Sequence, residues 1–168
     1  VGLAIAADRS AGFSLRDRLS RGFGVFRERE GGAAVSFDPV LDRSLLTADV
    51  VGMPSSADSV VVTRRYRAAH NIGWFRFVEY SSVDDQGEPR GDLAPVAEIV
   101  FPFDPELQRA HPGPEAAPAP PSLRGIPIER RESGPIVEER YTVDPAGIIA
   151  VSLTDLTTGY RQEHVLRA

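Results

Sequence analysis

This chain of 168 residues has no cysteine, which excludes a disulfide framework, a thiol nucleophile and every thiolate metal site. Lysine is absent too: all nineteen basic residues are arginine, so neither Schiff-base chemistry nor a phosphate-loop lysine is available. No apolar run approaches the length needed to span a bilayer as a helix. There is one Met, Met53, and one Trp, Trp74. The chain opens Val1-Gly2-Leu3-Ala4-Ile5-Ala6-Ala7 with no basic residues ahead, a poor signal peptide. It reads instead as the last turns of a helix cut from something upstream. A net charge of −5 argues against nucleic acid or an anionic membrane as a partner. With 42% hydrophobic and 26% charged residues, the composition is that of a globular domain.

Alternation and turn residues dominate what is present. Phe13 to Arg21 suits a strand or a short helix from Ser14, and Gly22 to Arg27 a strand that turns at Gly31-Gly32 into a partner over 33 to 37. Asp38-Pro39 has the signature of a helix start, N-cap then Pro at the first helical position, so residues 40 to 47 are expected to be the internal helix, ended by Gly52-Met53-Pro54. Residues 59 to 66 and 72 to 80 are β-branched and aromatic, separated by a short polar link, and predict a β-hairpin. Asp84 to Gly91 reads as a solvated loop, and Pro95 to Phe101 as another strand. Prolines crowd residues 102 to 121, which are expected to form an extended surface connection. Strands over 135 to 143 and 148 to 154 follow, joined by Asp144-Pro145-Ala146-Gly147, and a last strand runs from Tyr160 to Leu166 after a turn at Thr157-Thr158-Gly159. The sum is a mostly β, two-sheet antiparallel sandwich of seven or eight strands, with one short internal helix and a short N-terminal helical remnant.

The segment Gly134-Pro135-Ile136-Val137-Glu138-Glu139-Arg140-Tyr141-Thr142-Val143-Asp144-Pro145-Ala146-Gly147-Ile148-Ile149-Ala150-Val151-Ser152, with Thr157-Thr158-Gly159 after it, resembles the end of the substrate-binding β-sandwich of the heat-shock protein 70 (DnaK-type) chaperones. Leu123 to Pro127 is similar to the connection that precedes it, and Ser14-Leu15, Gly22 to Val25, Met53-Pro54 and Val60 to Thr63 resemble earlier elements. Val1 to Ala7 looks like the closing helix of that family's ATPase domain. The resemblance divides the chain into residues 1–12, the end of an upstream ATPase domain and its linker, and 13–168, a substrate-binding-like sandwich.

The resemblance implies a region of a divergent chaperone that holds unfolded or extended polypeptide through main-chain hydrogen bonds and an apolar pocket. Co-chaperones or a dedicated protein partner would join it; nucleic acid and membrane would not. ATP and magnesium would belong only to the upstream domain, this chain would not be an enzyme, and the parent would work in protein folding in the cytoplasm. The gripping positions it implies are Leu19, Phe23 and Val25 on one side and Val61, Thr63, Tyr66, Gly73 and Phe75 on the other. Phe23, Val61 and Phe75 equally suit plain core positions. Gly73 stands where the family has a β-branched pocket residue, and Tyr66 or Arg64 in place of a small arch residue.

Two other readings stay open. One is a protein-interaction or scaffold module that kept the sandwich and lost the groove. The other is an unrelated sandwich that recognises carbohydrate or another ligand, with Trp74 and Tyr80 stacking on sugar. Alternation places Trp74 and Arg76 on the face opposite Phe75 and Phe77, with Arg64, Arg65 and Arg67 expected on the neighbouring strand, as a hot spot or as cation–π packing. His70, His111 and His164 show no metal-ligand spacing and are expected at the surface. Asp84-Asp85 and Glu138-Glu139 are adjacent pairs whose members point apart on a strand.

Overall fold

A computed structural model describes residues 21–41, 59–112, 122–144 and 146–167. Eight strands account for most of them: β1 (Gly22–Arg29), β2 (Ala34–Leu41), β3 (Val60–Arg67), β4 (Ile72–Val83), β5 (Pro89–Pro102), β6 (Ile136–Val143), β7 (Ile149–Asp155) and β8 (Arg161–Arg167). One α-helix, α1 (Pro105–Ala110), lies among the described residues. The strands form two four-stranded sheets, β2-β1-β4-β5 and β3-β6-β7-β8, antiparallel throughout. The fold is the mostly β, two-sheet architecture that the sequence predicts.

Period-two alternation makes the interior. On β6, Val137, Glu139, Tyr141 and Val143 are buried while the residues between them are not; on β7, Ile149, Val151, Leu153 and Asp155 do the same. The opposite sheet supplies Phe23, Val25, Phe75, Phe77 and Phe101. Phe23 stacks on Phe77 at 5.8 Å, and Phe77 meets Tyr141 edge-on at 6.2 Å, which joins the two sheets. Each fully buried Phe or Leu contributes roughly 1.5–3 kcal/mol from the area it removes from water.

Three expectations fail, each for a physical reason. β3 and β4 are not a hairpin: β3 pairs along its length with β6, from Val60↔Val143 to Arg67↔Ile136, and β4 lies between β1 and β5 in the other sheet. No residue of the link Ala68 to Asn71 takes a positive φ, which the favoured two-residue hairpin turns require. The link crosses between sheets instead and is anchored there. The Ala68 N–H donates to Pro135 O, while Asn71 Oδ1 accepts from the amides of Ile72 and Glu129.

The second failure concerns Asp38-Pro39, which continues β2 rather than starting a helix, with Pro39 opposite Gly24 at a register shift and Val40 and Leu41 in the core. β2 is an edge strand, where a missing N–H is tolerated. Third, the proline-rich stretch is not extended throughout. Asp104-Pro105 starts α1, with the Asp104 carboxylate accepting from the Glu106 amide at 2.8 Å. Expectations for residues 1–12, Phe13 to Ser20, 42 to 47, Met53-Pro54 and 113 to 121 lie outside the described residues.

Candidate functional site

One end of the sandwich brings two chain connections together. β1 runs into Glu30-Gly31-Gly32, whose three residues all have positive φ, and the chain returns as β2. The β3–β4 crossing lies alongside. His70 joins the two: its Nε2 accepts the Gly31 N–H at 3.0 Å, and its backbone makes a bridge with Arg130. Burial pushes the imidazole below its ordinary pKa, with Arg130 acting in the same direction and Glu28 opposing. The neutral ring is therefore the form that holds the contact.

Between these connections opens a cleft of about 380 Å³ whose lining includes Arg29, Tyr66, Ala69, His70, Gly73 and Phe103. A second cleft of about 620 Å³, lined by Arg67, Ala68, Ala69, Arg130, Arg131 and Glu132, adjoins it through Arg67, Ala69 and Arg130. Gly73 is buried, and a Cβ there would sit 2.4 Å from Phe103 Cζ. Phe103 therefore occupies the space that a side chain at 73 would fill.

Beneath the cleft lies an ion pair spanning the sheets. Arg27 of β1 donates from Nε to Glu139 Oε1 at 3.0 Å and from a terminal nitrogen to Oε2, and also to Asp38 Oδ2 at 2.9 Å. The Tyr141 hydroxyl donates to Glu139 Oε2 at 2.6 Å. Glu139 is completely buried. Burial alone would lower the Arg27 pKa, but the Glu139 carboxylate overrides it and holds the guanidinium well above its ordinary range. Burial and then the same carboxylate raise both the Tyr66 and the Tyr141 phenols, against the opposing pull of Arg27. Arg27, Glu139 and Tyr141 satisfy one another, while the buried Tyr66 hydroxyl has no hydrogen-bond partner among the described residues.

The expected gripping residues separate into three groups. Tyr66, Gly73 and Phe75 come together at the cleft. Phe23 and Val25 are fully buried in the core, and Val61 and Thr63 are exposed on β3, in the other sheet from Gly73 and Phe75. Leu19 lies outside the described residues. Ala69, Phe103, Arg29 and Arg130 also line the clefts and carry no sequence signal, because the short link from Ala68 to Asn71 reads as a hairpin rather than as a crossing.

Trp74 and Arg76 do share the outward face of β4, with the guanidinium over the indole at 5.1 Å. Their expected neighbours Arg64, Arg65 and Arg67 belong to the other sheet, where Arg65 pairs with Glu138 at 2.6 Å. The histidines are not uniformly at the surface. His70 and His111 are buried, and half-buried His164 lies 3.1 Å from Gln162 Oε1. Among the described residues no group of His, Asp and Glu is placed to hold a metal ion. No helix among them is long and apolar enough to cross a membrane. No protein-family model and no curated protein sequence matches the chain.

Proposed function

We propose that this chain is the polypeptide-holding sandwich of a divergent chaperone similar to the heat-shock protein 70 type. It would grip extended segments under the control of an ATP- and magnesium-dependent domain upstream. The observation that carries the reading is the cleft at one end of the sandwich, where the β1–β2 and β3–β4 connections are tied by the Gly31–His70 hydrogen bond. Edge backbone and a side-chain pocket are the two elements that extended-peptide recognition uses. The family resemblance of Gly134 to Ser152 agrees with it.

The test is fluorescence anisotropy of the protein with labelled leucine-rich heptapeptides. Phe75 is a poor position to vary because it is 1% exposed and part of the core. Ala69 is exposed, lines both clefts and is not part of the buried core cluster. Saturable binding that Ala69→Trp abolishes without lowering the unfolding midpoint supports the clamp. Absence of binding by the folded parent protein defeats it.

A scaffold that recognises one folded partner is the second reading, favoured by a single observation: Phe103 already fills the space over Gly73. A Phe103→Ala variant that binds heptapeptide no better than the parent would favour that scaffold.

A further inference from the structure

We infer that the segments this end of the sandwich takes are acidic: extended polypeptide carrying Asp and Glu beside its apolar anchor. The inference rests on the polypeptide-holding reading and specifies the substrate class of the same site. It comes from the distribution of charge. The chain as a whole carries −5, yet the cleft over Gly73 is lined by four arginines, Arg27, Arg29, Arg67 and Arg130, against two glutamates, Glu28 and Glu30.

The state of each charge sharpens the contrast. Arg27 is committed to Glu139 and Asp38. Glu28 is committed to Arg76 at 2.7 Å, which neutralises one of the two acids at the cleft. In the adjoining cleft Arg131 is held by Glu129 at 3.1 Å and Asp104 at 3.5 Å. Arg29, Arg67 and Arg130 are exposed, and none has a carboxylate of the described residues within ion-pair distance. Arg67 has only the Gly134 carbonyl, at 2.8 Å.

Most other arginines of the described surface are paired. Arg65 has Glu138, Arg90 has Asp84, Arg124 has Glu98 and Arg161 has Glu163. Arg21 and Arg140 also lack an ion pair among the described residues but line neither cleft, whereas Arg29, Arg67 and Arg130 gather where the two connections leave one. A guanidinium presents a planar fork of donors matched to a carboxylate. Side chains flanking an anchor residue near Phe103 would meet Arg29 on the β1 side and Arg67 and Arg130 on the crossing side. A segment with Lys or Arg at those places would face like charges.

The experiment uses three labelled heptapeptides with the same central leucines and flanks of Glu, Gln or Lys, and a single-stranded oligonucleotide of similar length. The protein is the parent and the Arg29→Gln/Arg130→Gln double variant, two exposed side chains that make no ion pair with the described residues. The expected result is Glu-flanked binding tighter than Gln-flanked by on the order of tenfold, the gain of one or two partly exposed charge-assisted contacts. That gain shrinks as salt rises and is lost in the double variant.

Equal affinity for the three peptides, or tightest binding of the Lys peptide, overturns the acidic preference and leaves the polypeptide clamp standing. Failure of all three peptides on a folded protein overturns both. Tighter binding of the oligonucleotide than of the Glu peptide makes the arginines a nucleic-acid surface and overturns the inference.

Discussion

Arg27 and Glu139 stand 112 positions apart in the chain and are joined by two hydrogen bonds across the interior, one sheet to the other. Their geometry turns a costly pair of buried charges into a fixed clasp between the layers. Tyr141 and Asp38 add the remaining partners. Burying such a pair gains little over apolar residues of the same volume, but breaking it is severe because the surviving charge has no water to return to.

Glu139→Ala is therefore expected to lose about 3–5 kcal/mol of unfolding free energy, and Arg27→Met/Glu139→Leu to recover most of that. Urea denaturation monitored by Trp74 fluorescence measures both. A single-variant loss under about 1 kcal/mol would show that water reaches the pair.

The His70–Gly31 contact makes the loop end sensitive to acid. His70 has its pKa lowered in the folded state, so the unfolded chain binds the proton first. Its contribution is complete above the ordinary imidazole value of about 6.5 and is lost as pH falls through the lowered one. His164, also lowered by burial, acts in the same direction. The urea midpoint should fall between about pH 7.5 and pH 5, and His70→Gln in a His164→Gln background should flatten that dependence. An unchanged slope would assign the effect elsewhere.

Gly73→Ala is expected to cost about 1–3 kcal/mol, since the added carbon meets Phe103 at 2.4 Å and Phe75 at 2.8 Å. Phe103→Leu should suppress most of that cost. A double-mutant cycle from thermal melts gives the coupling directly, and additive losses would mean the rings are not in each other's way.

Asp155 is completely buried at the β7–β8 turn. Its Oδ1 accepts from the amides of Thr157 and Thr158 at 2.8 and 3.1 Å, and its Oδ2 accepts from Gln108 of α1 at 2.7 Å. Asp155→Ala orphans three donors and should lose about 2–4 kcal/mol, with Asp155→Asn losing less than half as much. Calorimetric melting of the two variants checks the order. Equal melting temperatures would show that α1 docks without this carboxylate.

Strand positions and turns were readable because alternation and turn residues are local. Asp144 shows this: its side chain accepts from the amides of Ala146 and Ile148 at 2.8 Å, as an Asp at a turn start does. The helix was not readable, because Asp38-Pro39 and Asp104-Pro105 carry the same start signature. Pairing with β1 and the burial of Val40 and Leu41 in the core make the first a strand. The pairing of β3 failed for a similar reason, since its partner β6 is remote and nearness in sequence favoured β4. The Arg27–Glu139 clasp left no sequence signal; Glu139 looks like the half-buried Glu138 beside it until the register of β6 turns it inward.

That remote partner has a consequence for how the molecule is made. Arg65 of β3 meets Glu138 of β6 across 73 positions, so on the ribosome β3 emerges long before the strand that completes it. Until then its backbone donors and acceptors form an open template, the kind that recruits foreign strands. Non-local pairing of this sort also slows folding. A nascent or truncated chain that stops between α1 and β6 would keep the β1–β2 and β4–β5 hairpins and carry a sticky orphan between them. A protein proposed to hold extended polypeptide would itself need shelter during its own synthesis.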